Sequence, residues 1–242
     1  MALLNTGGSV KKLFILTSIL TSLVYAEEAS APAPKDHRFF IGPDIFWDHT
    51  DAKAKIKSIE YKYKANSAMF GLRAGYDYLK PNWAYFGAYA MTSAGHQSSR
   101  EDVKAPIFPP SHAKLSGYRV LSNVEGRVGY NFKSPLFART TLTPFIGGGG
   151  FFNKLHDKES FNWGYATIGL RMNFGFTEDL DVGANFKVMN AFNDVWGFEG
   201  ALPLTWKICN RWDFQLEPYY LRLDSKWPSQ ILGSRFLFGY RF

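Results

Sequence analysis

Strict alternation of polar and apolar residues recurs in ten segments of this chain, at about 38–48, 66–79, 83–95, 116–132, 141–153, 161–176, 180–190, 195–208, 212–223 and 230–242. Period two is the signature of a β-strand, and helical spacing fits none of these segments as well. In 66–79, Phe70, Leu72, Ala74, Tyr76 and Tyr78 share one face, with Gly71, Arg73, Gly75 and Asp77 on the other. In 161–176, Ile168, Leu170, Met172, Phe174 and Phe176 oppose Gly169, Arg171, Asn173 and Gly175. No run reaches ~18 apolar residues, so no segment reads as a spanning α-helix. Aromatics at 17% and charges at only 20% exclude disorder for most of the chain. Lone Cys209 excludes an intrachain disulfide scaffold. A soluble β-protein and a transmembrane β-barrel both satisfy these constraints.

Connection lengths separate the two. The links at 79–83, 177–180 and 209–211 are tight and 133–140 is moderate, whereas the alternate links include 49–65 and 96–115, long and polar. The other alternate links are 154–160, 191–194 and 224–229. Short turns at one end and longer loops at the other is the layout of a membrane barrel, and an even strand count puts both termini at the short-turn end. Trp47, Trp83, Tyr85, Trp163, Tyr165, Trp196, Trp206 and Trp212 lie near strand ends, as expected of rings that sit at a lipid–water boundary. The fold expected is all-β, an antiparallel up-and-down transmembrane barrel over 38–242 with about ten strands, eight being the alternative.

The N-terminus reads as a targeting segment. Lys11 and Lys12 precede an apolar run from Leu13 to Val24, and Val24-Tyr25-Ala26 supplies small residues at the cleavage positions. Residues 1–26 are therefore expected to be a secretory signal peptide. Val10 is the expected true start, because Met1 to Ser9 precede an otherwise ordinary leader. Residues 27–37, which include the Ala- and Pro-rich EEASAPAPK, read as a flexible periplasmic lead-in.

At the other end Phe236, Phe238, Tyr240 and Phe242 alternate with Arg235, Leu237, Gly239 and Arg241. Here the chain resembles bacterial outer-membrane β-barrel proteins, most closely the small OmpA-, OmpX- and opacity-type barrels. The resemblance implies a Gram-negative outer-membrane location and makes those four aromatics the recognition signal for the barrel assembly machinery.

Assigning the polar face to the interior places Asp44, Asp77, Glu125, Asp181, Glu199, Asp213 and Glu217 inside with Arg73, Arg127, Arg171, Lys187, Lys207, Arg235 and Arg241. Seven acids meet seven bases. A small barrel is only just wide enough for its side chains, and matched pairs offset the cost of burying charge. A pore tuned to one ion sign would show an excess of the other. The balance points to a salt-bridged plug.

Chemistry-bearing motifs are few. Gly147 to Gly150 lacks the Lys-Ser/Thr pair and helix of a phosphate loop, and reads as strand glycine that leaves room for a neighbouring aromatic. Asp48, His49 and Asp51 at the outer end of the first strand, and His156-Asp157 at the outer end of the fifth, invite comparison with omptin proteases. The spacings turn Asp48 and Asp51 to opposite faces, and likewise His156 and Asp157, so ordinary loop residues are the better reading. No catalytic residue, cofactor or metal site is expected. The Lys- and Tyr-rich stretch Lys53, Lys55, Lys57, Tyr61 to Lys64 suits outer-leaflet phosphates, lipopolysaccharide included, better than nucleic acid or glycan. It could also extend a hairpin above the membrane. Pro106, Pro109 and Pro110 around Ile107 and Phe108 mark a contact loop or one folded over the barrel mouth. The function expected is a plugged barrel serving envelope structure or host and surface contact through its outer loops. A narrow porin is the alternative, and an omptin-like protease trails both.

Overall fold

A computed structural model describes residues 36–56, 59–105, 108–134, 139–155, 161–191, 195–224 and 228–242. The expected signal peptide and all but the last two residues of the 27–37 lead-in lie outside them, as do Lys57, Pro106, Ile107, His156 and Asp157. The side chains of Lys55, Phe108 and Pro110 are outside as well.

The strands are β1 (His37–Ile56), β2 (Ile59–Tyr78), β3 (Trp83–Ala105), β4 (Phe108–Lys133), β5 (Thr140–Leu155), β6 (Phe161–Gly175), β7 (Leu180–Ala191), β8 (Val195–Ala201), β9 (Leu204–Lys207), β10 (Trp212–Asp224) and β11 (Ser229–Arg241). Each pairs antiparallel with its neighbour, and β11 pairs with β1, from Arg38↔Arg241 to Thr50↔Ser229, to close the ring. β8 and β9 are two halves of one stave between β7 and β10, interrupted at Leu202-Pro203. Pro203 has no N–H to give to a ladder, but its carbonyl accepts from Gly183 N at 2.7 Å, so the wall stays sealed. The ring therefore has ten staves, as the alternation implies. β1 already includes His37, which the sequence assigns to the lead-in.

The start of β1 and the end of β11 meet at the short-turn end, where Phe242 N donates to His37 O at 3.0 Å. In the turn between β2 and β3, Asn82 takes a positive φ of 55°, a conformation Asn tolerates better than most residues. Its Oδ1 accepts from Lys133 N at 3.0 Å, which ties two neighbouring turns together.

The long outer loops expected at 49–65 and 96–115 are largely strand. β1 and β2 pair without a break from His37↔Tyr78 to Ile56↔Ile59, and β2 and β3 from Tyr78↔Phe86 to Glu60↔Lys104. Phe108 to Tyr118 of β4 run past its last pair with β5, Arg119↔Leu155. At about 3.4 Å per residue that is roughly 35 Å of extra strand. A four-stranded wall thus stands above one side of the ring. Two of the prolines read as loop breakers, Pro109 and Pro110, fall at its tip. The β3–β4 register shifts between Val103 and Ala105, so Pro109 and Pro110 together oppose Lys104. Two residues against one is a bulge, the place where missing N–H donors cost least.

Candidate functional site in the barrel lumen

Because the staves alternate, every second side chain points into the ring. The structure puts all fourteen of the charged residues named above on that inward face; Asp44, Asp77 and Asp213 are almost wholly buried, while Lys207 and Arg241 are only partly covered. The outward face is the apolar one, with Phe70, Ile146, Ile168 and Leu232 each at least 60% exposed.

The charges form stacked groups. Nearest the termini, Asp213 accepts from Arg38 (Nη2 2.5 Å) and from Arg241 Nε at 2.9 Å, and Lys207 reaches Asp181 at 3.1 Å. Beside them Asp77, the register partner of Arg38, gathers three donors: Tyr85 Oη at 2.9 Å, Tyr89 Oη at 2.5 Å and Arg171 Nη1 at 3.0 Å. Glu125 gathers another three: Arg127 Nε at 2.5 Å, Lys187 Nζ at 2.7 Å and Tyr165 Oη at 2.8 Å.

From Glu125 the pairing crosses the lumen. Lys187 also reaches Glu199 at 2.8 Å, and Glu199 accepts from Arg235 Nη2 at 3.0 Å. Arg235 in turn donates from Nη1 to Glu217, lies 3.5 Å from Asp44 and stacks over the Tyr219 ring at 3.8 Å. Tyr219 Oη closes the circuit by donating to Asp44 at 2.9 Å. One continuous chain of charges thus links staves from β4 round to β1. Glu125, Glu199 and Glu217 each meet two or more donors, the condition under which burying them is tolerable. Asp44 Oδ2 and Arg235 Nε, by contrast, face each other at 3.5 Å without a hydrogen bond.

An apolar layer covers this ionic one. Phe46, Met69, Leu121, Phe151, Met189, Tyr219, Leu221 and Ile231 pack together inside the ring, with Trp163, Met91, Val195 and Leu223 against them. Above it Asp48 takes hydrogen bonds from Arg119 and Ser229, and Arg119 Nε donates to Asn153 at 2.9 Å. The lumen is thus layered rather than polar throughout.

The layering corrects the aromatic belt. Trp47, Trp83, Trp196 and Trp206 face outward, and Trp212 lies on the same face of β10, its ring 4.9 Å from that of Tyr240. Tyr85, Trp163 and Tyr165 face the lumen instead: both tyrosines are buried, and Trp163 lies 4.5 Å from the Phe151 ring. Their hydroxyls find carboxylates there, which a lipid face does not offer. Position near a strand end did not distinguish the two; strand parity does.

Parity also finds charges that the sequence reading left out. Arg38 and Asp48 are an even number of residues from Asp44 and share its face, and Arg119 is six from Glu125. With these three, nine basic and eight acidic side chains are described as covered between the two rims.

Gly149 shows how the glycine run serves the site. A Cβ there would collide with the Val124 carbonyl and sit 2.6 Å from Tyr165 Oη, the donor to Glu125. Gly149→Ala is expected to destabilise the barrel by about 1–3 kcal/mol through overpacking. Gly150→Ala, whose Cβ would meet nothing nearer than 3.6 Å, is expected to be close to neutral. Urea titration of the refolded protein in detergent checks both, and equal effects would remove the packing explanation.

No hydrolytic constellation is assembled by the described residues. Asp48 points inward to Arg119, while His49 bonds Asn66 at 2.8 Å and Asp51 lies 3.7 Å from Lys64. Cys209 is an exposed free thiol in a turn at the terminal end.

Comparison with solved structures places the architecture. The outer membrane protease OmpT from Escherichia coli superposes with a TM-score of 0.52 at 10% identity, over 88% of this chain and 99% of that one. The fold is that of an outer-membrane β-barrel. The translocator domain of the autotransporter NalP from Neisseria meningitidis covers 97% of both chains at 13% identity with a TM-score of 0.48. At 10% identity the likeness to OmpT carries the fold and nothing of that protein's activity. No protein-family model matches the sequence, and no curated protein does.

Proposed function

We propose that this outer-membrane barrel is a non-conducting one whose work is done at the surface, by the four-stranded wall that it holds above the membrane. The observation that carries this reading is the charge chain across the lumen: where it crosses, the space left between side chains is a cavity of about 30 Å³. That is room for roughly two water-sized particles. A hydrated solute path would need these ion pairs to part, and the apolar layer above would still have to wet.

The outward face of the wall suits an anionic surface. Lys53, Lys62, Lys64, Arg100, Lys104 and Lys114 lie on it against Asp51, Glu60 and Asp102. Asp102 is already taken by Arg100 at 2.9 Å and His112 at 2.6 Å, and those hydrogen bonds hold its carboxyl below the usual range. Lys64 is approached by Asp51 at 3.7 Å. Lys53, Lys62, Lys104 and Lys114 remain to meet the phosphate groups of outer-leaflet lipopolysaccharide, and the wall above them is the part available to a host or other surface partner.

Planar-bilayer recording of the purified protein tests the plugged reading. The expected result is silence, with no stable openings at moderate voltage. Large, long-lived, ion-selective openings would instead make the chain a narrow porin. Shortening the hairpins to the paired positions Thr50–Ala65 and Ser99–Leu115 should leave the ring folded and abolish binding to lipopolysaccharide-coated surfaces.

A further inference from the structure

We propose that the lumen holds a small monovalent inorganic anion at Arg73. Six cationic side chains line the 30 Å³ cavity against three carboxylates, Asp77, Glu199 and Glu217. Five of those cations have a carboxylate within 3.0 Å: Arg38, Arg127, Arg171, Lys187 and Arg235. Arg73 is the sixth. It is only 8% exposed, and among the described residues it makes no ion pair and no side-chain hydrogen bond. Its contact is with the Tyr89 ring, 5.2 Å away, and Arg127 lies over the same ring at 4.4 Å. Two like charges therefore share one aromatic group.

Arginine does not escape such a position by losing its proton. A buried guanidinium with five donors and no acceptor is costly unless a counter-charge reaches it. The number of charges agrees: nine bases against eight acids leaves an excess of one, and among the described residues Arg73 is the base without an ion pair, Glu199 attracting it only from beyond contact distance. Asn185 lines the same cavity, and its side-chain Oδ1 is buried without a hydrogen-bond partner. The two ends of that amide are interchangeable by rotation, so it can turn its NH₂ group to the anion. The size of the cavity admits a halide and excludes a sugar, a peptide or a multiply charged phosphate ester. The anion would steady the charge chain, since it neutralises a group that otherwise repels Arg127 across the Tyr89 ring.

Crystals of the wild-type barrel grown in bromide test this directly. One anomalous peak is expected in the lumen, in contact with the Arg73 guanidinium; its absence, or peaks on the surface alone, would overturn the assignment. In detergent, exchanging gluconate, too large for the cavity, for chloride at constant ionic strength should raise the unfolding midpoint by roughly 2–4 °C. Arg73→Met should lose that rise, and Asn185→Leu should weaken it. A chloride effect undiminished in Arg73→Met would place the ion elsewhere. If Arg73→Met does not fold, the bromide map of the wild type still decides.

Discussion

Replacing Arg235 by Met is expected to lower the stability of the assembled barrel by about 3–5 kcal/mol, the range for breaking a buried ion pair by removing one partner. Arg235 is the hub of the lumen: Glu217, Glu199 and Asp44 all face it, and its guanidinium covers Tyr219. Glu199 keeps Lys187 and Asp44 keeps Tyr219, but Glu217 is left with only the Gln215 amide at 2.6 Å. Adding Glu217→Gln should therefore recover part of the loss. The temperature at which the compact, fast-migrating form disappears on gels measures both variants. A change under about 1 kcal/mol would mean that water screens these charges, and the plugged interior would fall with it.

Tyr240→Ser combined with Phe242→Ser is expected to stop most of the protein from assembling, leaving precursor in the periplasm and raising the envelope stress response. All four aromatics of the last strand face outward, and Phe238 and Phe242 are 52% and 55% exposed. They do not stand alone. Tyr240 packs on Trp212 at 4.9 Å, and Phe242 stacks on His37 at 5.4 Å where β11 meets β1. The pair thus lies at the seam that closes the ring. Phe198→Ser removes an equally outward ring, 43% exposed, from β8, away from that seam. It should assemble nearly normally. Equal failure of both would point to general loss of apolar lipid-facing area instead of a signal in the last strand.

The stave count and the polarity of each face were legible in the residues, because a strand must present successive side chains to opposite sides. Phe70, Ile168 and Trp196 against Arg73, Arg171 and Glu199 show it plainly, and such a face cannot be turned without slipping the whole register. The Phe-Leu-Phe-Gly-Tyr alternation of β11 was equally local. The charge balance could be counted too, though only to within the residues assigned to each face; Arg38, Asp48 and Arg119 lie within the expected strands 38–48 and 116–132, and parity followed to the ends of those strands adds them.

Tertiary structure decided the rest. Whether 49–65 and 96–115 were loops or strand depended on pairing between distant segments, such as Glu60 with Lys104, for which polar composition gives no sign. Whether Tyr165 met lipid or Glu125 depended on which face its stave turned to the lumen and on Gly149 making space for its hydroxyl. Residue types set the number of charges inside. Only the closing of ten staves at a common register set which acid pairs with which base, and left Arg73 without an ion pair among the described residues. Pairing energies act over a few ångströms, whereas sequence periodicity specifies a face and not a height along the barrel.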